Sequence, residues 1–109
     1  MKVAAYVPDL MDRSKLAAAA PGTNFVSNPR LLVEVEADLV VLDLSRPGVL
    51  EALSGLAHTR TIGFGSHVDV ETLQAAREAG CDLVLARSAF FARLPGVLDE
   101  GPSAKMTDS

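Results

Sequence analysis

Asp43 closes a wholly apolar run, Leu39-Val40-Val41-Leu42, and Ser45 follows it closely. A carboxylate in that place admits two readings. It can stand at a rim where something bound there uses it, or it can cap the turn that Ser45 begins. Gly65, Ser66 and His67 follow a second apolar run, Thr61-Ile62-Gly63-Phe64. With Asp43 they supply the residue types of a hydrolytic triad, in which a base takes the proton of a hydroxyl and a carboxylate orients the base. Ser66 and His67 are sequence neighbours, however, and on an extended loop such neighbours point apart; no Gly-x-Ser-x-Gly elbow is present. Gly63-Phe64-Gly65-Ser66 lacks the Gly-x-Gly-x-x-Gly spacing of a dinucleotide loop and reads as a tight strand-to-helix turn. His67 then reads as a cap or rim hydrogen-bonder. Arg87 and Ser88 follow Leu83-Val84-Leu85-Ala86, and Asp9 follows Pro8 after the first apolar run.

Other chemistries have little to work with. Cys81 is the single cysteine, so it forms no intramolecular disulfide, and with only His58 and His67 beside it no Cys/His zinc site can be assembled. Its apolar context makes it a buried structural thiol rather than a reactive one. Net charge is -4, and the 10 Lys and Arg are scattered, so direct nucleic-acid binding is not expected. Four Phe, one Tyr and no Trp provide no stacking platform for bases or sugars. Pro8, Asp9 and Asp12 interrupt Val3-Ala4-Ala5-Tyr6-Val7 before a signal-peptide core could form. No apolar stretch nears the roughly 20 residues of a membrane span, so no membrane contact is expected and a cytoplasmic location fits the lone thiol. Arg outnumbers Lys and Ile62 is the single Ile, a bias of GC-rich bacterial genomes.

The elements that must position these groups alternate along the chain. Val3–Val7, Asn24–Ser27, Leu39–Leu42, Thr61–Phe64 and Leu83–Leu85 read as strands. Asp9–Ala20, Pro29–Glu36, Pro47–Leu56, Asp69–Ala79 and Ser88 to about Leu98 read as helices. Asp9 and Asp69 are N-caps, Pro29 and Pro47 suit a first turn that needs no N–H, and Gly80 suits a left-handed stop. Strands apolar on both faces imply a parallel sheet between helical layers. At 109 residues, 49% hydrophobic, the chain supports one core. The expected organisation is a domain over 1–98 and a mobile tail over 99–109, where apolar periodicity ceases.

The residues at the strand ends resemble a known family, the receiver domains of bacterial response regulators. Asp38-Leu-Val-Val-Leu-Asp43-Leu-Ser-Arg-Pro47-Gly48 looks like that family's phosphoacceptor strand and the turn after it, which puts Asp43 at the phosphoacceptor position. Thr61-Ile-Gly-Phe-Gly-Ser-His67 looks like its fourth strand, and Ala79-Gly80-Cys81-Asp82 like the turn before its fifth. The resemblance spans residues 2 to about 98 and implies a three-layer, flavodoxin-like (βα)5 fold with strand order 2-1-3-4-5. The departures are specific. Val7 and Pro8 stand where the family's acidic, Mg²⁺-chelating pair would be, with only Asp9 after them. Gly65 replaces its Thr or Ser, and Ala86 its Lys, with Arg87 adjacent.

These features together lead to a degenerate receiver that acts as a protein-interaction module and not as an enzyme, with no cofactor and at most weak Mg²⁺ binding. Two alternatives stay open: a phosphorylation-competent receiver using Asp43, and a small-ligand or hydrolytic domain using Asp43, Ser66, His67 and Arg87. The rim of the site is expected from Asp9, Ser45, Gly65, Ser66, His67, Arg87 and Ser88, with Arg87 hydrogen-bonded to Asp43. The partner is expected to be a protein, a second copy of the chain included. Phe90 and Leu94 share one helical stripe with Phe91 alongside, and because neighbouring positions differ by about 100°, one ring is expected at the surface as an interface anchor.

Overall fold

Each strand is followed by a helical segment, and Asp9, Asn28 and Asp69 cap three of these with their side chains. In the computed structural model, which describes residues 1–99, β1 (Val3–Tyr6) leads into α1 (Leu10–Ala19), where Asp9 Oδ1 accepts from the backbone N–H groups of Met11 and Asp12 at 2.9 and 3.0 Å. After β2 (Asn24–Phe25), Asn28 caps a 3-10 segment, Pro29–Glu34, with its side-chain oxygen 2.9 Å from the Arg30 N–H. β3 (Leu39–Asp43) leads to α2 (Val49–Leu53), extended by a 3-10 turn over Ser54–Leu56. β4 (Arg60–Gly65) leads to α3 (Val70–Glu78), capped by Asp69 and stopped at Gly80, whose φ of 101° is a left-handed value. β5 (Leu83–Ala86) leads to α4 (Arg87–Ala92) and a final 3-10 turn, Gly96–Asp99.

Several expected helices are shorter, for local reasons. Gly48 takes φ 85°, so Pro47 belongs to the turn and the helix begins at Val49. Over 29–36, β-branched Val33 and Val35 disfavour the α form, and Val33 lies so close to Gly55 that a Cβ there would stand 2.5 Å from Val33 Cγ1. The last helix divides at Pro95, which lacks an N–H and restricts Leu94 before it. Asp99, assigned above to the tail, closes the final turn; the rest of that segment, 100–109, lies outside the described residues.

The five strands form one parallel sheet in the order β2-β1-β3-β4-β5. The central register sets Val3 opposite Leu39 and Tyr6 opposite Leu42, and Asp43 opposite Phe64. Alternate residues of β1 and β3 serve opposite faces. Ala4, Val40 and Leu42 pack with the 3-10 segment, α2 and α3 through Leu32, Val49, Leu53, Leu73 and Ala76. Val3, Ala5, Leu39 and Val41 pack with α1, α4 and the last turn through Leu16, Phe90 and Val97. The fold is the flavodoxin-like three-layer α/β/α sandwich.

Candidate functional site

In a parallel sheet of this order, loops converge beyond the carboxyl ends of the strands, and the polar residues of β1, β3, β4 and β5 meet at that end. Asp43 ends β3 with its residue only 2% exposed. Its Oδ1 accepts from the Ser45 N–H at 3.0 Å and the Ser45 hydroxyl at 2.7 Å. Its Oδ2 accepts from Arg46 Nε at 3.4 Å. Both oxygens therefore serve the loop that follows, and the capping role foreseen with Ser45 is realised with Arg46 added.

Arg87 does not reach Asp43. It crosses instead to α1 and donates to Asp12 Oδ1, lying over the rings of Phe64 and Phe91 at 5.9 and 5.6 Å. The reason is the layer it belongs to. Arg87 opens α4, which shares a face of the sheet with α1, and Asp12 sits one helical turn before Leu16 on the inward stripe of α1. Asp12 is 1% exposed, and its Oδ2 is buried with no hydrogen-bond partner. Asp9 lies beside both arginines. The backbone N–H of Asp12 pulls its carboxyl below the ordinary 3.8, against a partial opposing effect of burial, with help from the Met11 N–H, Arg87 and Arg46.

Ser66 and His67 are exposed, and Ser66 Oγ accepts from the Val68 N–H at 3.4 Å to shape its own turn. Since Asp43 turns to Ser45 and Arg46, the triad types are not assembled into a relay. Gly65 is buried between Leu73 and Leu44, and a Cβ there would stand 3.3 Å from Leu73 Cδ2. Ser88 is exposed at the start of α4. Burial pushes the Cys81 thiol up, which favours its neutral form.

The aromatic anchor expected on the last helix takes a different form. Phe90 is fully buried, stacked on Phe64 with centroids 5.0 Å apart. Phe91 is half-buried and meets both rings edge-on, at 5.1 and 4.9 Å, with Lys15 Nζ over it at 5.4 Å. Phe64 stands between the two directions of the helix, so one ring of β4 serves both neighbours, and Leu94 is half-buried against the same cluster. Neither Phe is an exposed anchor.

Mg²⁺ requires several converging oxygens. Here Asp43 is engaged by Ser45 and Arg46, Asp12 by Arg87, and Asp9 by the start of α1, while Val7 and Pro8 bring no side-chain oxygen. Among the described residues no three His, Cys, Asp or Glu stand together as a metal site. The residues present do not fit the ion.

Two residues of this site escaped the sequence reading, Asp12 and Arg46. Asp12 stands in the first turn of α1, and its spacing of four from buried Leu16 is the signal that it faces inward. Arg46, three residues after Asp43, is within reach of it in any tight turn.

Compared with known proteins, the chain matches no family model. No curated protein matches it in sequence. Solved structures do match. A response regulator from Hahella chejuensis superposes with a TM-score of 0.74 at 18% identity, over 97% of this chain and 95% of that one. The BeF3-activated receiver domain of DrrB, a Thermotoga maritima protein, gives 0.71 at 20% identity, over 91% and 97%. A response regulator protein from Burkholderia multivorans gives 0.65 at 18%, over 94% and 97%. The fold is that of receiver domains.

Proposed function

We propose that this receiver fold works as a protein-interaction module in signalling, without Mg²⁺-dependent phosphoryl transfer to Asp43. The observation that carries this reading is the state of the Asp43 carboxylate: it is buried, and both oxygens are already hydrogen-bonded by Ser45 and Arg46. Attack on phosphorus would have to loosen these bonds, and among the described residues no cluster of acids stands ready for the divalent ion that neutralises the charge of a transferring phosphoryl group. Two further facts support the reading. Arg87 is drawn away to Asp12, and Gly65 offers no hydroxyl in a space that Leu44 and Leu73 already fill. No helix among the described residues is long and apolar enough to cross a membrane.

The test is direct. Incubation with acetyl phosphate and Mg²⁺ should leave the intact mass unchanged, and beryllofluoride with Mg²⁺ should leave the amide NMR signals around Asp9 and Asp43 in place. A phosphate adduct that disappears in Asp43→Asn would establish the phosphorylation-competent alternative instead.

A further inference from the structure

The two ion pairs of the crevice share one arrangement, with the carboxylate inside and the guanidinium outside. The side chains of Asp43 and Asp12 are 3% and 1% exposed, whereas those of their partners Arg46 and Arg87 are 40% and 46% exposed. In each of these two pairs the folded surface presents the arginine and not the acid.

The Arg87 guanidinium is also held from behind. It lies over the rings of Phe64 and Phe91, and Asp12 holds one of its terminal nitrogens. Because Asp12 Oδ2 has no hydrogen-bond partner, withdrawing Arg87 would leave a whole buried carboxylate uncompensated, so the arginine stays and a ligand must come to it. Arg46 bonds Asp43 through Nε, which leaves its terminal NH2 groups directed elsewhere. Asp9, the remaining acid beside them, accepts two backbone N–H groups of α1.

We propose that Arg46 and Arg87 form a paired oxyanion-recognition site that takes carboxylate side chains from an acidic segment of a protein partner. The proposal rests on the interaction-module reading and specifies the partner's chemistry. Pre-ordered arginine forks match carboxylates bidentately, and arginines are frequent anchors of interfaces. Leu10 and Met11, 75% and 71% exposed at the start of α1, supply apolar contact next to the charges. Asp69 and Glu71, at the start of α3, repel an acidic segment that strays that way and confine it to the arginine side.

The experiment follows the arginine Nε–H signals of the whole ¹⁵N-labelled chain by NMR at constant ionic strength. The probes are a blocked tri-aspartate peptide, a blocked tri-lysine peptide and inorganic phosphate. Tri-aspartate should shift the Arg46 and Arg87 signals saturably, against the repulsion of a chain of net charge -4, and tri-lysine should not. Arg46→Gln, which leaves both Ser45 bonds to Asp43 in place, should weaken the peptide by about tenfold, with the urea midpoint checking that the variant is folded. Arg87→Lys keeps a charge for Asp12 but loses the fork, and should weaken it as well. The proposal is overturned if tri-aspartate gives no saturable shift, if tri-lysine shifts the same signals, if Arg46→Gln binds unchanged, or if phosphate binds there and tri-aspartate does not. An Asp43 phosphate adduct in a chain that still binds tri-aspartate would remove the phosphoryl-transfer reading and leave this site standing.

Discussion

At the scale of single residues, the site is governed by what each carboxylate already holds. Asp9 gives the clearest test, because its folded-state pKa lies below the ordinary 3.8 through the backbone N–H of Asp12 first. A depressed carboxylate contributes stability above its unfolded value, and that contribution fades as pH falls through the folded value. Asp9→Asn keeps an acceptor for the helix start but removes the charge. Its Tm should therefore fall below wild type at pH 7, and the gap should close as the solution is acidified below pH 4; a gap that is constant with pH would exclude a role for the charge. The positions of Asp9, Asp43 and Ser45 at the strand ends were legible in the sequence, since each follows an apolar run. The pairing of Arg87 was not. Proximity across strand ends suggested Asp43, but which carboxylate an arginine meets depends on the layer its helix packs in, and that is decided by tertiary contacts with α1.

At the scale of elements, close approach of loop and sheet sets strict demands on small residues. Gly63 in β4 faces Leu44, and a Cβ there would stand 2.8 to 2.9 Å from three atoms of the Leu44 side chain. Gly63→Ala should destabilise the chain by about 1–3 kcal/mol through overpacking. Adding Leu44→Ala should relieve part of that cost, and a double-mutant cycle in urea would show coupling between the sites. Strictly additive effects would mean that the two side chains do not compete for space. The strands and the caps at Asp9, Asn28 and Asp69 are readable because periodicity and capping are local. The shortening of the second and last helices is less so. It follows from Val33 pressed against Gly55 and from the break at Pro95, and the first of these is a contact between segments far apart in sequence.

At the scale of the whole molecule, one aromatic cluster ties the two ends of the chain to the sheet. Phe64, Phe90 and Phe91 join β4 to α4, and Arg87 carries the connection to α1. Phe90→Ala should cost about 3–5 kcal/mol, a large share of the roughly 5–15 kcal/mol that holds a domain of this kind. Half-buried Phe91→Ala should cost distinctly less. Urea midpoints, with slopes unchanged, would show the order, and equal losses would contradict the burial difference between the rings. The parallel register of the sheet also has a consequence for how the chain is made. Val3 to Tyr6 pair with Leu39 to Leu42, and Ala4 and Ala5 pair with Asn24 and Phe25, so every partner of β1 lies well downstream of it. During synthesis at about 5–20 residues per second, β1 leaves the ribosome seconds before β3 exists to cover it. For that interval Val3, Ala4 and Ala5, all buried in the finished protein, are naked, and the nascent chain depends on a chaperone or on its own collapse to shield them.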